Sequence, residues 1–110
     1  MFKLISNLFK KNYEDLSGRE FKNKFKSIPG AVLIDVRSDA EFKSGSIKGA
    51  KNMNIMSSGF SAEIAKLDKS KTYFIFCRSG ARSASACRMM SAAGLNVSNL
   101  RGGIGAWPAN

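Results

Sequence analysis

The sequence predicts an α/β fold built on a central parallel β-sheet. Two apolar runs, Ala31 to Val36 and Thr72 to Phe76, lack the polar alternation of a half-exposed strand. Such runs are typical of parallel strands that helices cover on both faces. Helix-start signals lie between the runs, and alternation of strands with helices favours a parallel sheet. The chain has 110 residues, 44% of them hydrophobic, which suffices for one compact domain.

The elements follow from local signals along the chain. We expect residues 1–16 to form a basic leader and residues 17–110 to form the domain. Two Ser-x-x-Glu capping boxes, at residues 17–20 and 38–41, open helices, and Pro29-Gly30 ends the first. The remaining predictions are strands at 31–36, 72–76 and 96–100, a short segment at 52–55, and helices at 61–67 and 83–93, the last ended by Gly94.

A cysteine lies where the second apolar strand meets a helix. The stretch Cys77-Arg78-Ser79-Gly80-Ala81-Arg82 places a thiol among loop N–H groups, at a helix N-terminus and beside two guanidinium groups. All three surroundings favour the thiolate over the neutral thiol. We therefore expect Cys77 to be a reactive nucleophile with a lowered pKa.

Several motifs in order give the chain a family resemblance. Together with the Cys77 loop, the segments that resemble the signature of a single rhodanese domain are Leu33 to Arg37, Glu41-Phe42, Gly45 to Ala50, Asn52, Arg101-Gly102-Gly103 and Trp107. The resemblance covers about residues 17–107 and implies a three-layer sandwich, with helices flanking the parallel sheet. It also implies transfer of sulfane sulfur through a persulfide on the cysteine. Many members have Gly-His-Ile where this chain has Gly45-Ser46-Ile47, a position that we expect to form structural hydrogen bonds.

The loop spacing separates two chemistries. Cys77 and Arg82 enclose four residues, whereas cysteine phosphatases and arsenate reductases place one more residue between the two. A narrower ring of N–H groups suits a terminal sulfur better than a tetrahedral phosphate, which makes a phosphatase the weaker alternative. The chain contains no histidine, which excludes Cys-His pairs and histidine-ligated zinc. We expect no metal and no cofactor.

The charge distribution points to a small anionic substrate. The formal net charge is +10, and no carboxylate side chain follows Asp68, whereas six lysines and arginines do. A positive field around Cys77 would attract thiosulfate, polysulfide or another anionic sulfur donor. We do not expect nucleic-acid binding, because no platform of arginines and aromatic residues accompanies the lysines.

The resemblance and the loop suggest roles for individual residues. N–H groups of Arg78, Ser79, Gly80, Ala81 and Arg82 would hold the persulfide, with Arg78 directed to the donor and Arg82 closing the loop. Asp35 and Arg37 would tie strand ends to loops, and Asp35 is a candidate partner for Arg82. The acceptor would be a thiol, cyanide or a protein.

The second cysteine, Cys87, lies within the last predicted helix among small and apolar residues. A buried packing role is favoured over that of a resolving thiol for Cys77, because helix and loop geometry make the disulfide hard to form. Two cysteines do not indicate a structural disulfide.

Three functions remain open at this level: a small sulfurtransferase, a sulfur-carrier or redox relay serving a protein partner, and a non-catalytic binding domain. The intact cationic loop argues against the third. The opening residues have too short an apolar core for a secretory signal, and no stretch is long and apolar enough to span a membrane, so we expect a cytoplasmic protein. The sequence predicts no oligomeric state.

Overall fold

In the computed structural model, which describes residues 12–110, five parallel strands form the central sheet. Their order across the sheet is β1-β5-β4-β2-β3. The strands are β1 (Glu14–Leu16), β2 (Val32–Asp35), β3 (Lys51–Asn52), β4 (Thr72–Phe76) and β5 (Asn96–Leu100). The fold class predicted from the sequence is confirmed, and the two long apolar runs lie side by side as β2 and β4.

Residues 12–110 also form four helices, and helices pack on both faces of the sheet. They are α1 (Gly18–Ser27), α2 (Asp39–Ser44), α3 (Phe60–Ala65) and α4 (Ala81–Ala92), and a 3₁₀ turn follows at Ile104–Ala106. Both predicted capping boxes are present, because Ser17 and Ser38 accept the N–H groups of Glu20 and Glu41. The helix predicted from residue 83 begins two residues earlier, at Ala81.

Alternate residues of β4 divide the core into two clusters. Tyr73 and Ile75 point to the side covered by α3 and α4, while Phe74 and Phe76 point to the side of α1. On the second side the ring of Trp107 packs edge-on against Phe21, with centroids 6.1 Å apart. The sheet therefore forms the middle layer of three, and Cys77 follows directly from its best-buried strand.

The N-terminal edge of the sheet differs from the sequence prediction. Residues 14–16, placed in the leader, form β1 and pair in parallel with residues 98–100 of β5. Only Leu16 of this strand is buried, so the segment carries little apolar signal of its own. The rest of the predicted leader, residues 1–11, lies outside the described residues. Among residues 12–110 no helix combines the length and apolar character needed to cross a bilayer.

Candidate active site

The thiol of Cys77 lies in a ring of hydrogen-bond donors. Its Sγ accepts the N–H of Gly80 at 3.1 Å and the N–H of Ser83 at 3.3 Å. The Ser83 hydroxyl lies 3.3 Å from the same sulfur and 3.1 Å from the carbonyl oxygen of Gly80. Because a hydroxyl has one proton and two lone pairs, Ser83 can donate to a thiolate or accept from a thiol. The sulfur therefore has polar partners in either protonation state.

These contacts shift the ionisation of Cys77. Burial of the thiol raises its pKa, since the residue is 0% exposed. The hydroxyl and N–H of Ser83 lower the pKa, and the N–H groups of Gly80 and Ser79 add to the effect. The hydrogen bonds outweigh burial, so the net shift is downward. Ser79 and Gly80 belong to the loop predicted to hold the sulfur, whereas Ser83 lies beyond it and sequence reasoning missed it.

Two positions that shape the Cys77 loop require glycine, one within the loop and one packed against it. Gly80 has a φ of 101°, a left-handed conformation that turns the chain from the sulfur into α4. Gly103 lies against the loop from outside: a Cβ at this position would be 1.9 Å from the carbonyl oxygen of Arg78. The neighbouring N–H of Ile104 donates to the Cys77 carbonyl at 2.8 Å. The segment after β5 thus fixes the backbone of the Cys77 loop.

Arg82 is braced by Glu41 and not by Asp35. Its two terminal nitrogens donate to the two carboxylate oxygens of Glu41 at 2.7 and 3.0 Å. The hydrogen bond from Arg82 is the main reason that the pKa of Glu41 falls to about 2. The predicted pairing with Asp35 is wrong, because Arg37 occupies that carboxylate. The Arg82–Glu41 ion pair joins the start of α4 to α2.

Asp35 and Arg37 form a buried ion pair at the end of β2. The Arg37 side chain donates to the Asp35 carboxylate at 2.7 to 3.0 Å and to the carbonyl of Gly45 at 2.7 Å. Ser46 supplies another hydrogen bond to Asp35, at 2.8 Å, so the expected structural role of this position is confirmed. Removing one partner of such a pair typically costs about 3–5 kcal/mol. The pair supports the loop at residues 45–46, and none of these hydrogen bonds involves Cys77.

Arg78 and Cys87, two further residues identified in the sequence, differ in exposure. Arg78 is exposed and, within residues 12–110, pairs with no carboxylate, which leaves its guanidinium available to an anion. Cys87 is buried in the same core cluster as Cys77, and both cysteines are free thiols. Burial is the main cause that raises the pKa of Cys87. The described part of the chain contains no cluster of metal-ligating side chains.

Known proteins resemble this chain along most of its length. Residues 17–110 match the family described as Rhodanese-like domain. The protein YtwF of Bacillus subtilis is 34% identical over 94 residues, which covers 86% of this chain and 89% of that protein. A sulfurtransferase of Allochromatium vinosum is 31% identical, with coverage of 84% and 86%. The crystal structure of a rhodanese-like domain protein from Staphylococcus aureus superposes with a TM-score of 0.75 at 29% identity, covering 86% of this chain and 91% of that one.

Proposed function

Since the chain belongs to the rhodanese-like sulfurtransferase family, we propose that it transfers sulfane sulfur through a persulfide on Cys77. The donor is a small anion such as thiosulfate, and the acceptor is a nucleophile such as a thiol, cyanide or a protein thiol. The domain over residues 17–110 carries this activity. We place it in the cytoplasm, where a free thiol at Cys77 persists.

The observation that carries the proposal is the ring of donors around Sγ. Two N–H groups and one hydroxyl lie 3.1 to 3.3 Å from the sulfur. They stabilise negative charge there without a histidine, a residue that the chain lacks. A nucleophilic thiolate needs this kind of support.

The reaction is a double displacement. The Cys77 thiolate attacks the outer sulfur of thiosulfate, a new S–S bond forms, and sulfite leaves with the electron pair of the broken S–S bond. An acceptor thiolate then attacks the outer sulfur of the persulfide. Its product is a persulfide of the acceptor, and Cys77 leaves as the thiolate that began the cycle.

The charge around the loop supports an anionic donor. The Arg78 side chain is exposed and forms no ion pair with a carboxylate within the described residues. The Arg82 guanidinium forms an ion pair with Glu41. We therefore assign Arg78 to the incoming donor and Arg82 to the loop. Because Cys77 is 0% exposed, the donor reaches it past the exposed outer residues Arg78, Ser79 and Ala81.

The test is the intact mass of the protein after incubation with thiosulfate, alongside the variants Cys77→Ser and Cys87→Ser. We expect a gain of one sulfur that persists in the Cys87 variant and vanishes in the Cys77 variant. Loading from polysulfide or a desulfurase, with none from thiosulfate, would support the sulfur-carrier alternative. If no donor loads Cys77, both proposals fail and a binding domain remains.

A further inference from the structure

A pocket lies beside the Cys77 loop, and the reaction proposed above does not involve it. Its volume is about 220 Å³, and it opens between β1, the end of β5 and the first half of α4. Ser79 and Gly80 of the loop form one wall, and Arg88 and Arg101 line it as well. Cys77 does not line this pocket. It is small for a drug-sized ligand and fits a short polar group better.

The pocket carries excess positive charge. Arg88 donates a hydrogen bond only to the neutral hydroxyl of Ser85, at 3.2 Å, among the contacts within residues 12–110. Arg101 lies 4.0 Å from the carboxylate of exposed Glu20, a loose ion pair. One carboxylate, that of Asp15, also lines the pocket and accepts a hydrogen bond from Asn99. Two guanidinium groups thus face one carboxylate, and guanidinium binds planar oxyanions well.

The floor of the pocket connects it to the sulfur. Asn99, which is 3% exposed, donates through Nδ2 to Asp15 at 3.0 Å and to the Gly80 carbonyl at 3.4 Å. Both neighbours are acceptors, so the amide orientation is fixed. This leaves the buried Oδ1 without a partner among the described residues. An amide oxygen accepts hydrogen bonds, so a donor group such as water suits Oδ1, whereas the carboxylate-binding groups of the pocket are the two arginines.

One residue separates the pocket from the reacting atom. The N–H of Gly80 donates to Cys77 Sγ at 3.1 Å, while the same glycine lines the pocket. A group held by Arg88 and Arg101 therefore lies beside the loop from which the persulfide is transferred. Such a group and a nucleophile that reaches the sulfur can belong to one substrate.

We propose that this pocket binds the carboxylate of the sulfur acceptor and that the preferred acceptors are thiols that carry a carboxylate. The inference rests on the proposed function and specifies its acceptor. The two arginines act on binding of the acceptor and take no part in loading Cys77.

The test compares matched acceptors with thiosulfate as donor. Mercaptopropionate and mercaptohexanoate are each measured against their own carboxamide, so that acid and amide differ only in charge. The two chain lengths test two distances between the carboxylate and the thiol. The enzyme is compared with the double variant Arg88→Gln/Arg101→Gln. The control is Lys26→Gln/Lys69→Gln, which removes the same charge from exposed positions outside the pocket.

We expect at least one carboxylate thiol to have a KM about fivefold below that of its amide, with similar kcat, because a partly exposed ion pair contributes this much. The arginine variant should lose the difference and the lysine variant should keep it. Equal KM values for acid and amide in the unmodified enzyme would overturn the proposal. It would also be overturned if the arginine variant no longer formed the Cys77 persulfide, as judged by intact mass.

A binding measurement keeps this test separate from the proposed function. Hexanoate, which has no thiol, is titrated while the amide resonances of Gly80 and Gly102 are followed. Shifts at both glycines that disappear in the arginine variant would support the pocket even if no sulfur donor loads Cys77. Absence of shifts at both would overturn it even if the enzyme transfers sulfur.

Discussion

Replacing Ser83 with alanine tests whether the hydroxyl beside Cys77 stabilises the thiolate. Ser83 is fully buried, and its Oγ lies 3.3 Å from Sγ. The variant keeps the backbone N–H of residue 83, which donates to the same sulfur at 3.3 Å. It therefore removes one of the hydrogen bonds to sulfur and leaves the loop backbone in place.

The size of the effect follows from the contacts of this hydroxyl. A hydrogen bond to a charged group contributes about 1.5–3 kcal/mol, equivalent to roughly tenfold to a hundredfold in the ratio of thiolate to thiol. Ser83 Oγ also lies 3.1 Å from the Gly80 carbonyl oxygen, an alternative acceptor. The hydroxyl can donate to this carbonyl when the thiol is neutral, so only part of the hydrogen-bond energy favours the thiolate over the thiol. We expect the lower end of the range, about tenfold. The pKa of Cys77 should rise accordingly.

The assay is the rate of alkylation of Cys77 by iodoacetamide as a function of pH, followed by mass spectrometry of the peptide. Ser91→Ala is the control, because Ser91 lies on the same helix but donates to the Asn12 carbonyl. The profile of Ser83→Ala should move to higher pH, with a somewhat faster limiting rate, since a more basic thiolate is more nucleophilic. Thermal unfolding identifies loss of fold. Identical profiles for a folded Ser83→Ala and the unmodified protein would refute this account of the thiolate.

Three further predictions concern the loop, its brace and the second thiol. Gly103→Ala should abolish persulfide loading or unfold the protein, because its Cβ would lie 1.9 Å from the carbonyl oxygen of Arg78. Gly30 also has a positive φ, 75°, but open space around it, so Gly30→Ala should keep persulfide loading. Equal loading in both variants would contradict the steric argument. The pKa of Glu41 is lowered to about 2, so the stability from its ion pair is present above the ordinary glutamate range and lost as pH falls toward 2. The Tm of Glu41→Gln should show a smaller decline over that acid range, and parallel curves would count against the brace. Native protein should alkylate at Cys77 and spare Cys87 until denaturant is added, since burial raises the pKa of Cys87; labelling of both thiols in the native state would show that this burial is incomplete.

Features encoded by neighbouring residues could be predicted from the sequence. The capping box at residues 17–20 needs only four consecutive residues, and it forms as expected. The strand Thr72–Phe76 is apolar enough to specify its own burial. The position of Cys77 at the hinge follows from this strand and the helix after it.

Features that depend on contacts between distant segments could not be predicted in the same way. Strand β1 has one buried residue and exists because its backbone pairs with β5, more than eighty residues later. The partner of Arg82 was assigned incorrectly because Asp35 lies at the end of a strand, where functional side chains collect, yet Arg37, two residues on, binds Asp35. Ser83 was missed because a serine at the start of a predicted helix carries no signal for contact with a thiol six residues earlier.

The donor ring around Cys77 is local in sequence, but it is held in place by parts of the chain that are distant in sequence and meet in the folded domain. The loop and α4 supply the donors, α2 supplies the carboxylate that braces Arg82, and the segment after β5 supplies Gly103 and the N–H of Ile104. A nascent or unfolded chain has none of these contacts, so its Cys77 has the chemistry of an ordinary thiol. Activation of the cysteine therefore depends on the folded state. Thiol reactivity can report how much of a preparation has reached the native state.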